Sequence, residues 1–462
     1  MGEKLVKKKK FVLSNRMKNV AKISSGTMAG QIISFITLPI IARIYGAEIM
    51  GNWTLMNSIA TIINSFSDLG LTNALMVEDD EEATLRLYNV VTTLVLGVSI
   101  LAGIGVGLYY VIVPDSLGVS NAFVAIFMII LIFALQQTQI CYTWLNRQGK
   151  YSVLMKNPVI NNVIIGVVAI IFGKIGMKTY GYYIAVILGN IITILHMKRF
   201  LPKKMFTINK QSFQKVLKGR KRFVMYQMPT NVISQVKNQL PVLLIKKFFG
   251  ATTLGYYSVS VKILNIPITL LANALGRVFF QTISDMARKG QEIGQFVYRN
   301  LTRAMKVAIV PMIVLVAFGD AIVILLFGRE YEMAGAMLQI VSFQNFFTFL
   351  MMSSQGITIT LDKQSYAMVS CIVQSVGFIV GLGAGSYIFN DIYVGLFLMS
   401  VLFVLVQIVY FCALFKVMNI SWKKYFRDVL ISLLIILVGA FVVRKAGIWI
   451  LDLIGLRSRF LP

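Results

Sequence analysis

The amino-acid sequence predicts an all-α polytopic membrane protein with about 12 to 14 transmembrane helices. Of its 462 residues, 57% are hydrophobic and the mean hydropathy is +0.76, which is more apolar surface than a soluble domain needs. Apolar segments of about 20 residues, the length of a spanning helix, recur along the whole chain. An internal repeat, in addition, divides the chain into two halves.

The repeat lies where the first apolar segment of each half ends. Residues 43–53 (RIYGAEIMGNW) and 247–257 (KFFGATTLGYY) are about 204 positions apart and share a cation, an aromatic residue, Gly-Ala, a large apolar residue, Gly and an aromatic residue in register. A Leu-Pro pair, Leu38-Pro39 or Leu240-Pro241, precedes each copy, out of step by about two residues, which a helix kink can absorb. Because apolar helices joined by Gly-rich turns look alike, chance is the alternative to duplication; we favour duplication because each copy occupies the first outer turn of its half.

The first half follows a cytoplasmic basic tail, residues 1–19, and extends over residues 20–197. Its first apolar segment resembles a signal peptide, but it is long, contains Lys22 and Gln31, and lacks a convincing cleavage site. We therefore interpret it as a retained span. The six spans of this half are predicted at residues 20–41, 53–76, 90–113, 122–144, 159–172 and 180–197.

A cytoplasmic basic linker, residues 198–222, separates the halves, and the second half extends over residues 223–417. Residues 418–462 are predicted to hold a helical hairpin with arms at 429–443 and 447–456. The second arm has about 10 residues, too few for an ordinary span, so a re-entrant or interfacial piece is the alternative. The six spans of the second half are predicted at residues 223–245, 254–280, 304–327, 334–361, 366–388 and 394–417.

The charge distribution predicts the orientation in the membrane. The net charge is +27, and with the N-terminus in the cytoplasm about 35 of the 45 Lys and Arg residues fall on the cytoplasmic side. This pattern favours contact with anionic membrane lipids and makes a nucleic-acid partner unnecessary. With a single histidine and three cysteines in apolar segments, neither a metal site nor a disulfide framework is expected, and no cofactor is predicted.

The candidate binding residues are the cations within or near the predicted spans. Lys237 and Lys262 are placed at membrane depth, where a lysine is costly unless it faces a wet cavity or a partner. We predict that both attract an anionic group such as a phosphate; the alternative is that they snorkel or pair with an acid. Lys22, Arg43, Lys247 and Arg277 lie nearer the interfaces, where snorkelling requires little free energy.

Two acids and several amides add to this set. Asp68 and Asp320 are candidates for binding a coupling ion, although a structural pairing with a cation is the favoured alternative. The Asn and Gln residues of spans 1, 2, 4, 7 and 10 are candidates for bonds to sugar hydroxyls, with hydrogen bonds between helices as the equal alternative.

Catalytic signals are absent from the sequence. There is no Gly-x-x-x-x-Gly-Lys-[Ser/Thr] phosphate loop, no paired carboxylates, Ser–His–Asp set or Cys–His set in a loop, and no long outer loop that could hold a catalytic domain. The sequence therefore predicts that the chain is not an enzyme, which disfavours a membrane glycan polymerase or ligase.

Five short runs of the sequence together carry a family resemblance. They are Ser24-Ser25-Gly26-Thr27, Leu38-Pro39-Ile40-Ile41-Ala42-Arg43-Ile44-Tyr45-Gly46, Met50-Gly51-Asn52-Trp53, the acidic run Glu78-Asp79-Asp80-Glu81-Glu82-Ala83 and Phe327-Gly328-Arg329-Glu330-Tyr331. These runs resemble the Wzx-like polysaccharide biosynthesis flippases of the multidrug/oligosaccharidyl-lipid/polysaccharide exporter (MOP) superfamily. The resemblance covers essentially the whole chain in layout.

This resemblance implies two pseudo-symmetric six-helix lobes, residues 20–197 and 223–417, around a central cavity. It implies a monomeric flippase of the bacterial inner membrane that moves undecaprenyl-pyrophosphate-linked oligosaccharide, such as an O-antigen repeat unit, to the outer leaflet by alternating access, alongside other polysaccharide assembly proteins. The pyrophosphate would be met by Lys22, Arg43, Lys237, Lys262 and Arg277. Several of these are lysine where relatives often have arginine, and lysine offers a point charge without the bidentate fork of arginine. The alternative is a cation-coupled drug antiporter of the same superfamily, which would need acids inside the helices.

Overall fold

The computed structural model describes residues 15–113 and 117–453, and of residues 15–22, 269 and 451 it describes the backbone alone. Within these ranges the chain is helical and has no β-strand. The helices are α1 (Asn15–Ser67), α2 (Glu81–Ile112), α3 (Asn121–Arg147), α4 (Tyr151–Lys174), α5 (Gly181–Met197), α6 (Lys210–Gly219), α7 (Met228–Pro267), α8 (Asn273–Arg288), α9 (Gly294–Phe327), α10 (Glu332–Ser353), α11 (Ile357–Thr360), α12 (Gln364–Tyr387), α13 (Ile392–Val417) and α14 (Trp422–Leu453).

The described residues contain 11 helical stretches that are long and apolar enough to cross a membrane. Two of them, Ile23–Ser67 and Phe223–Arg288, have 45 and 66 residues, and each covers two of the predicted spans because one crossing takes about 20 residues. The all-α multi-pass class is therefore confirmed, and the number of crossings agrees with the predicted 12 to 14. Most of the predicted tail, residues 1–19, lies outside the described residues.

Both long helices bend at the first glycine of the repeat motif, its fourth residue. Gly46 has φ 77° and ψ 167°, and Gly250 has φ 85° and ψ 178°. A Cβ atom at either position would meet nothing within 4 Å, so crowding does not explain the glycine. The backbone conformation does, because a positive φ is unfavourable for residues with a side chain. The two copies therefore share a backbone bend as well as a sequence pattern.

The two bends also pack against each other in a reciprocal way. A Cβ atom on Gly51 would lie 1.9 Å from the carbonyl oxygen of Ala251, and one on Gly255 would lie 1.8 Å from the carbonyl oxygen of Ala47. Gly51 corresponds to Gly255 in the repeat, and Ala47 to Ala251. Each copy thus places its alanine carbonyl on the glycine of the other, which favours duplication over chance.

Helix packing groups the elements according to the two halves of the sequence. In the first half, α1 packs on α4, α2 on α3, and α5 on both α3 and α4. In the second half, α9 packs on α10, α12 on α13, and α7 on α10 and α12. The main contact between the groups is that of α1 with α7. The linker holds the short helix α6, which packs on α2, and its Arg220 pairs with Glu78 of the acidic loop.

The predicted C-terminal hairpin is wrong, because α14 continues as one helix through the expected turn. The expected turn falls at residues 444–446, between the two predicted arms. In the structure, Arg444 reaches α9 as part of a packed helix face, and a Cβ atom on Gly447 would lie 2.4 Å from the ring of Phe318. The cation and the glycine therefore dock one continuous helix rather than turn the chain.

The contact of α14 with α9 includes a bidentate ion pair within the apolar bundle. Arg444 donates to Asp320 Oδ2 at 2.7 Å and to Oδ1 at 3.0 Å, and to the carbonyl oxygen of Ala317 at 2.7 Å. Asp320 is only 5% exposed and also accepts from Gln339 at 3.3 Å. Near the other end of α14, Asp428 accepts from the hydroxyl of Tyr298 on α9.

We expect Gly51→Ala and Gly255→Ala to destabilise the protein by about 1–3 kcal/mol each, since the added methyl group would overlap a backbone oxygen. Gly105→Ala in α2 is the matched control. A Cβ atom there meets nothing within 4 Å, and alanine favours a helix. Thermal unfolding of the purified protein in detergent measures the difference. Equal melting temperatures for Gly51→Ala and Gly105→Ala would contradict the reciprocal contact.

We expect Arg444→Met to lower stability by about 3 kcal/mol, because it leaves the Asp320 carboxylate buried without its cation. The double variant Asp320→Asn/Arg444→Met should recover most of that loss, since the amide carries no charge. The melting temperatures of the two variants and the parent in one detergent provide the test. A double variant as unstable as the single one would show that packing of the arginine, rather than its charge, is what matters.

Candidate functional site

A cavity lies between the two repeat copies, where the first arm of α1 faces the second arm of α7. Its volume is about 350 Å³. We call it the inter-repeat cavity. Its walls combine apolar side chains with polar ones and a single cation. The lining residues are Gln31, Ile32, Ser34, Phe35, Leu38, Lys262, Asn265, Ile266 and Leu270.

Lys262 is the charged residue of the inter-repeat cavity. Its side chain is half-buried, and among the ion pairs found in residues 15–113 and 117–453 none involves it. A lysine in this position gives the cavity a positive potential, because little water screens it. A lysine deep in a membrane protein is stabilised by an anion or by water in such a cavity.

Asn265 extends this polar wall. It lies three residues after Lys262, so both share one face of the helix, opposite Gln31 and Ser34 of α1. The expectation for amides covered Gln31 in span 1, but it missed Asn265 in span 8. The signal was present in the sequence as Lys262 and Asn265 at helical spacing. The sequence does not show which helix faces these two residues and completes the cavity.

The equivalent interface of the other repeat copy is closed. Position 58 corresponds to Lys262, and position 239 corresponds to Phe35. There, the hydroxyl of Ser58 donates to Gln239 Oε1 at 2.8 Å. A neutral hydrogen bond thus occupies the place where the other copy has a cation and a cavity.

Lys237 does not line the inter-repeat cavity. It lies on the first arm of α7, half-buried, in the neighbourhood of Cys371 on α12. Lys262 lies on the second arm of α7, beyond the bend at Gly250, so the structure does not bring the two lysines together in this cavity. The role of Lys237 stays a prediction.

The other predicted cations are also placed apart from Lys262. Arg43 is exposed and donates to the carbonyl oxygen of Leu325 at 3.3 Å, near the C-terminal end of α9. Arg277 is exposed on α8 and is not part of the cavity lining. The side chain of Lys22 lies outside the described residues. Lys247 lies 5.9 Å from the ring centroid of its neighbour Phe248.

Both predicted ion-coupling acids have protein partners. Asp68 accepts from the backbone nitrogens of Gly70 at 2.8 Å and Thr72 at 3.1 Å, and so fixes the turn that follows α1. Asp320 is held by Arg444. No group of three or more His, Cys, Asp or Glu side chains suited to a metal ion occurs in the described part of the chain. The coupling role of the two acids stays a prediction.

The fold is similar to that of solved transporter structures. The structure is similar to that of the lipid II flippase MurJ in an inward closed conformation, with a TM-score of 0.66 at 13% identity over 92% of this chain and 99% of that one. It is also similar to an inward-facing multidrug resistance MATE transporter of the MOP superfamily, with a TM-score of 0.58 at 14% identity over 88% and 99% of the two chains. The protein therefore has the fold of MOP-superfamily transporters.

Comparison of the sequence with protein families assigns the chain to one of them. It belongs to the family described as polysaccharide biosynthesis protein, whose profile matches residues 40–336. It is 22% identical over 311 residues to the succinoglycan biosynthesis transport protein ExoT of Rhizobium meliloti (strain 1021), and 21% identical over 323 residues to the teichuronic acid biosynthesis protein TuaB of Bacillus subtilis (strain 168). These matches cover 66% and 65% of this chain but only 61% and 62% of the relatives' lengths.

These comparisons confirm the resemblance to Wzx-like flippases of the MOP superfamily. They also confirm that the chain is grouped with transporters and flippases rather than with enzymes.

Proposed function

We propose that this protein moves an oligosaccharide linked to undecaprenyl pyrophosphate from the inner to the outer leaflet by alternating access. The observation that carries the proposal is Lys262, a cation in the cavity between the two repeat copies that forms none of the ion pairs found among the described residues. Two relatives named for succinoglycan and teichuronic acid biosynthesis, and a structural neighbour named as a lipid II flippase, support a glycan-lipid substrate.

The cavity chemistry suits the head of such a lipid. The ammonium group of Lys262 would attract a phosphate oxygen, and Gln31, Ser34 and Asn265 would bond phosphate or sugar hydroxyl groups. We retain Lys22, Arg43, Lys237 and Arg277 as proposed phosphate contacts in conformations where the halves have separated. Asp68 and Asp320 are retained as proposed coupling acids, which would have to leave their present partners.

The size of the inter-repeat cavity supports alternating access. At about 350 Å³ it cannot hold an oligosaccharide with its pyrophosphate, so one end must open. The halves contact each other at Gly51 and Gly255 on one side of the cavity. A second contact between the halves lies past the end of α1, beyond the Ser58–Gln239 pair, where a Cβ atom on Gly70 would lie 3.2 Å from the carbonyl oxygen of Phe223. Opening one contact at a time would expose the cavity to one leaflet at a time.

We further propose two six-helix lobes, residues 20–197 and 223–417, in the bacterial inner membrane with the N-terminus in the cytoplasm. The basic linker and the positive-inside tendency support this orientation. We propose a monomer that works beside other polysaccharide assembly proteins. A cation-coupled drug antiporter is less well supported, because both intramembrane acids named above already carry partners.

The test is complementation of a bacterium that lacks its own flippase, with undecaprenyl-linked glycan in the outer leaflet as the readout. We expect Lys262→Ala to reduce export at least about tenfold, since a hydrogen bond to a charged group is worth about 1.5–3 kcal/mol, and Lys262→Arg to restore much of it. Lys178→Ala is the control because it removes an exposed cation far from the cavity.

Membrane levels of all variants must match the parent by immunoblot. Full export by Lys262→Ala at equal levels would overturn the role of Lys262. Tolerance to cationic drugs gained by the parent chain, without glycan export, would favour the antiporter instead.

A further inference from the structure

A second crevice combines two exposed arginines with an apolar floor. It lies between α8 and the first turns of α9 and has a volume of about 670 Å³. We call it the α8–α9 crevice. Its lining residues are Ala274, Leu275, Val278, Phe279, Thr282, Phe296, Arg299, Asn300 and Arg303.

The two arginines are available to an anion. Arg299 and Arg303 are exposed and lie four residues apart, so they share one face of α9. Arg299 donates to the carbonyl oxygen of Gln295 at 3.4 Å, and no ion pair found in the described residues includes either guanidinium. The nearby carboxylate of Asp285 is paired with Arg288 instead. Two guanidinium groups therefore face outward without a protein counter-charge.

The floor of the crevice is apolar and contains a stacked pair of aromatic rings. The rings of Phe279 and Phe296 are stacked, with centroids 5.8 Å apart and planes 14° apart. Leu275 and Val278 beside them are exposed, at 40% and 61%, on a helix that the bundle supports from its other side through Gly276. An acyl chain would pack against these apolar side chains and keep them out of contact with water.

The depth of the arginines matches that of lipid phosphates. The turn between α8 and α9 spans only residues 289–293, so both helices end near one membrane surface. Arg299 lies five residues inside α9, or about 7 Å along the axis at about 1.5 Å per residue. The polar headgroup layer is about 5–7 Å thick on each side of the hydrocarbon. The guanidinium group of Arg299 thus lies where headgroup gives way to acyl chain. Arg303 lies about 14 Å along the axis, and its side chain, which points toward the N-terminal end of the helix, extends back toward the same layer.

We propose that the α8–α9 crevice binds an anionic glycerophospholipid, with Arg299 and Arg303 on its phosphate and an acyl chain over Phe279 and Phe296. Arginine suits this role because its planar fork pairs bidentately with phosphate. Basic pockets between helices on the cytoplasmic side are suited to anionic headgroups. The assignment to the cytoplasmic leaflet rests on the proposed orientation, whereas binding itself rests on neither that orientation nor the proposed transport function.

Native mass spectrometry of the purified full-length protein, titrated with phosphatidylglycerol and with phosphatidylethanolamine, tests the proposal. We expect phosphatidylglycerol to bind more tightly, and Arg299→Gln/Arg303→Gln to weaken it at least about tenfold, the factor that one charged hydrogen bond contributes. The matched control is Arg288→Gln/Lys289→Gln, which removes two cations from the adjacent turn but none from the crevice. It should retain the affinity of the parent.

Undecaprenyl phosphate, added as a competitor, separates the two sources of a lipid phosphate. Weak competition at equal concentration supports a phospholipid site. Displacement of phosphatidylglycerol by undecaprenyl phosphate at a tenfold lower concentration would overturn the assignment in favour of the transported lipid class. Equal loss of binding in both double variants would also overturn it, because general attraction by positive charge would then suffice.

Discussion

The structure depends first on the close contact between the two repeat copies. Gly51 and Gly255 have no side chain, so each can receive the alanine carbonyl of the other copy at a distance that a methyl group would forbid. Membrane helices have little hydrophobic force to bring them together, and close packing at small residues takes its place. This contact holds α1 against α7, and the bends at Gly46 and Gly250 direct the arms away from it. The inter-repeat cavity lies between arms that this contact positions.

In the proposed function, the substrate binds where the two copies differ in sequence. The shared bend and the shared small residues build a symmetric frame, but Ser58 and Gln239 close one interface with a hydrogen bond, while Lys262 and Phe35 leave the other open. If each copy carried a cation at this position, the free-energy cost of placing charge in the membrane would be about twice that of a single cation. One cation in one cavity limits that cost to the place where an anion would be bound.

Hydropathy and motif spacing predicted much of the fold, because both report on single segments. The two Gly-Ala bends, at the ends of the first apolar segment of each half, could be located from the sequence in this way. The rotation of each helix could not be predicted, since it depends on neighbours distant in sequence. The position of Lys237 beside α12, apart from the inter-repeat cavity, was therefore not predictable. The pairing of Arg444 was not predictable either, since its partner Asp320 is 124 positions away.

The distribution of polar contacts bears on how the halves could move. Within the second half, α9 and α14 are joined by the bidentate Arg444–Asp320 pair. Between the halves, hydrogen bonds within the described part of the chain include those from Ser58 to Gln239, from Arg43 to the Leu325 carbonyl, and from Tyr331 to the Ala42 carbonyl at 2.7 Å. Each such bond contributes about 1 kcal/mol, and water or substrate hydroxyl groups can replace it. Each of these bonds is weaker than the bidentate pair that joins α9 to α14, which favours motion of α9 and α14 as a unit. The glycine contact between α1 and α7 can then act as a closing surface, because it is made by backbone groups and small residues.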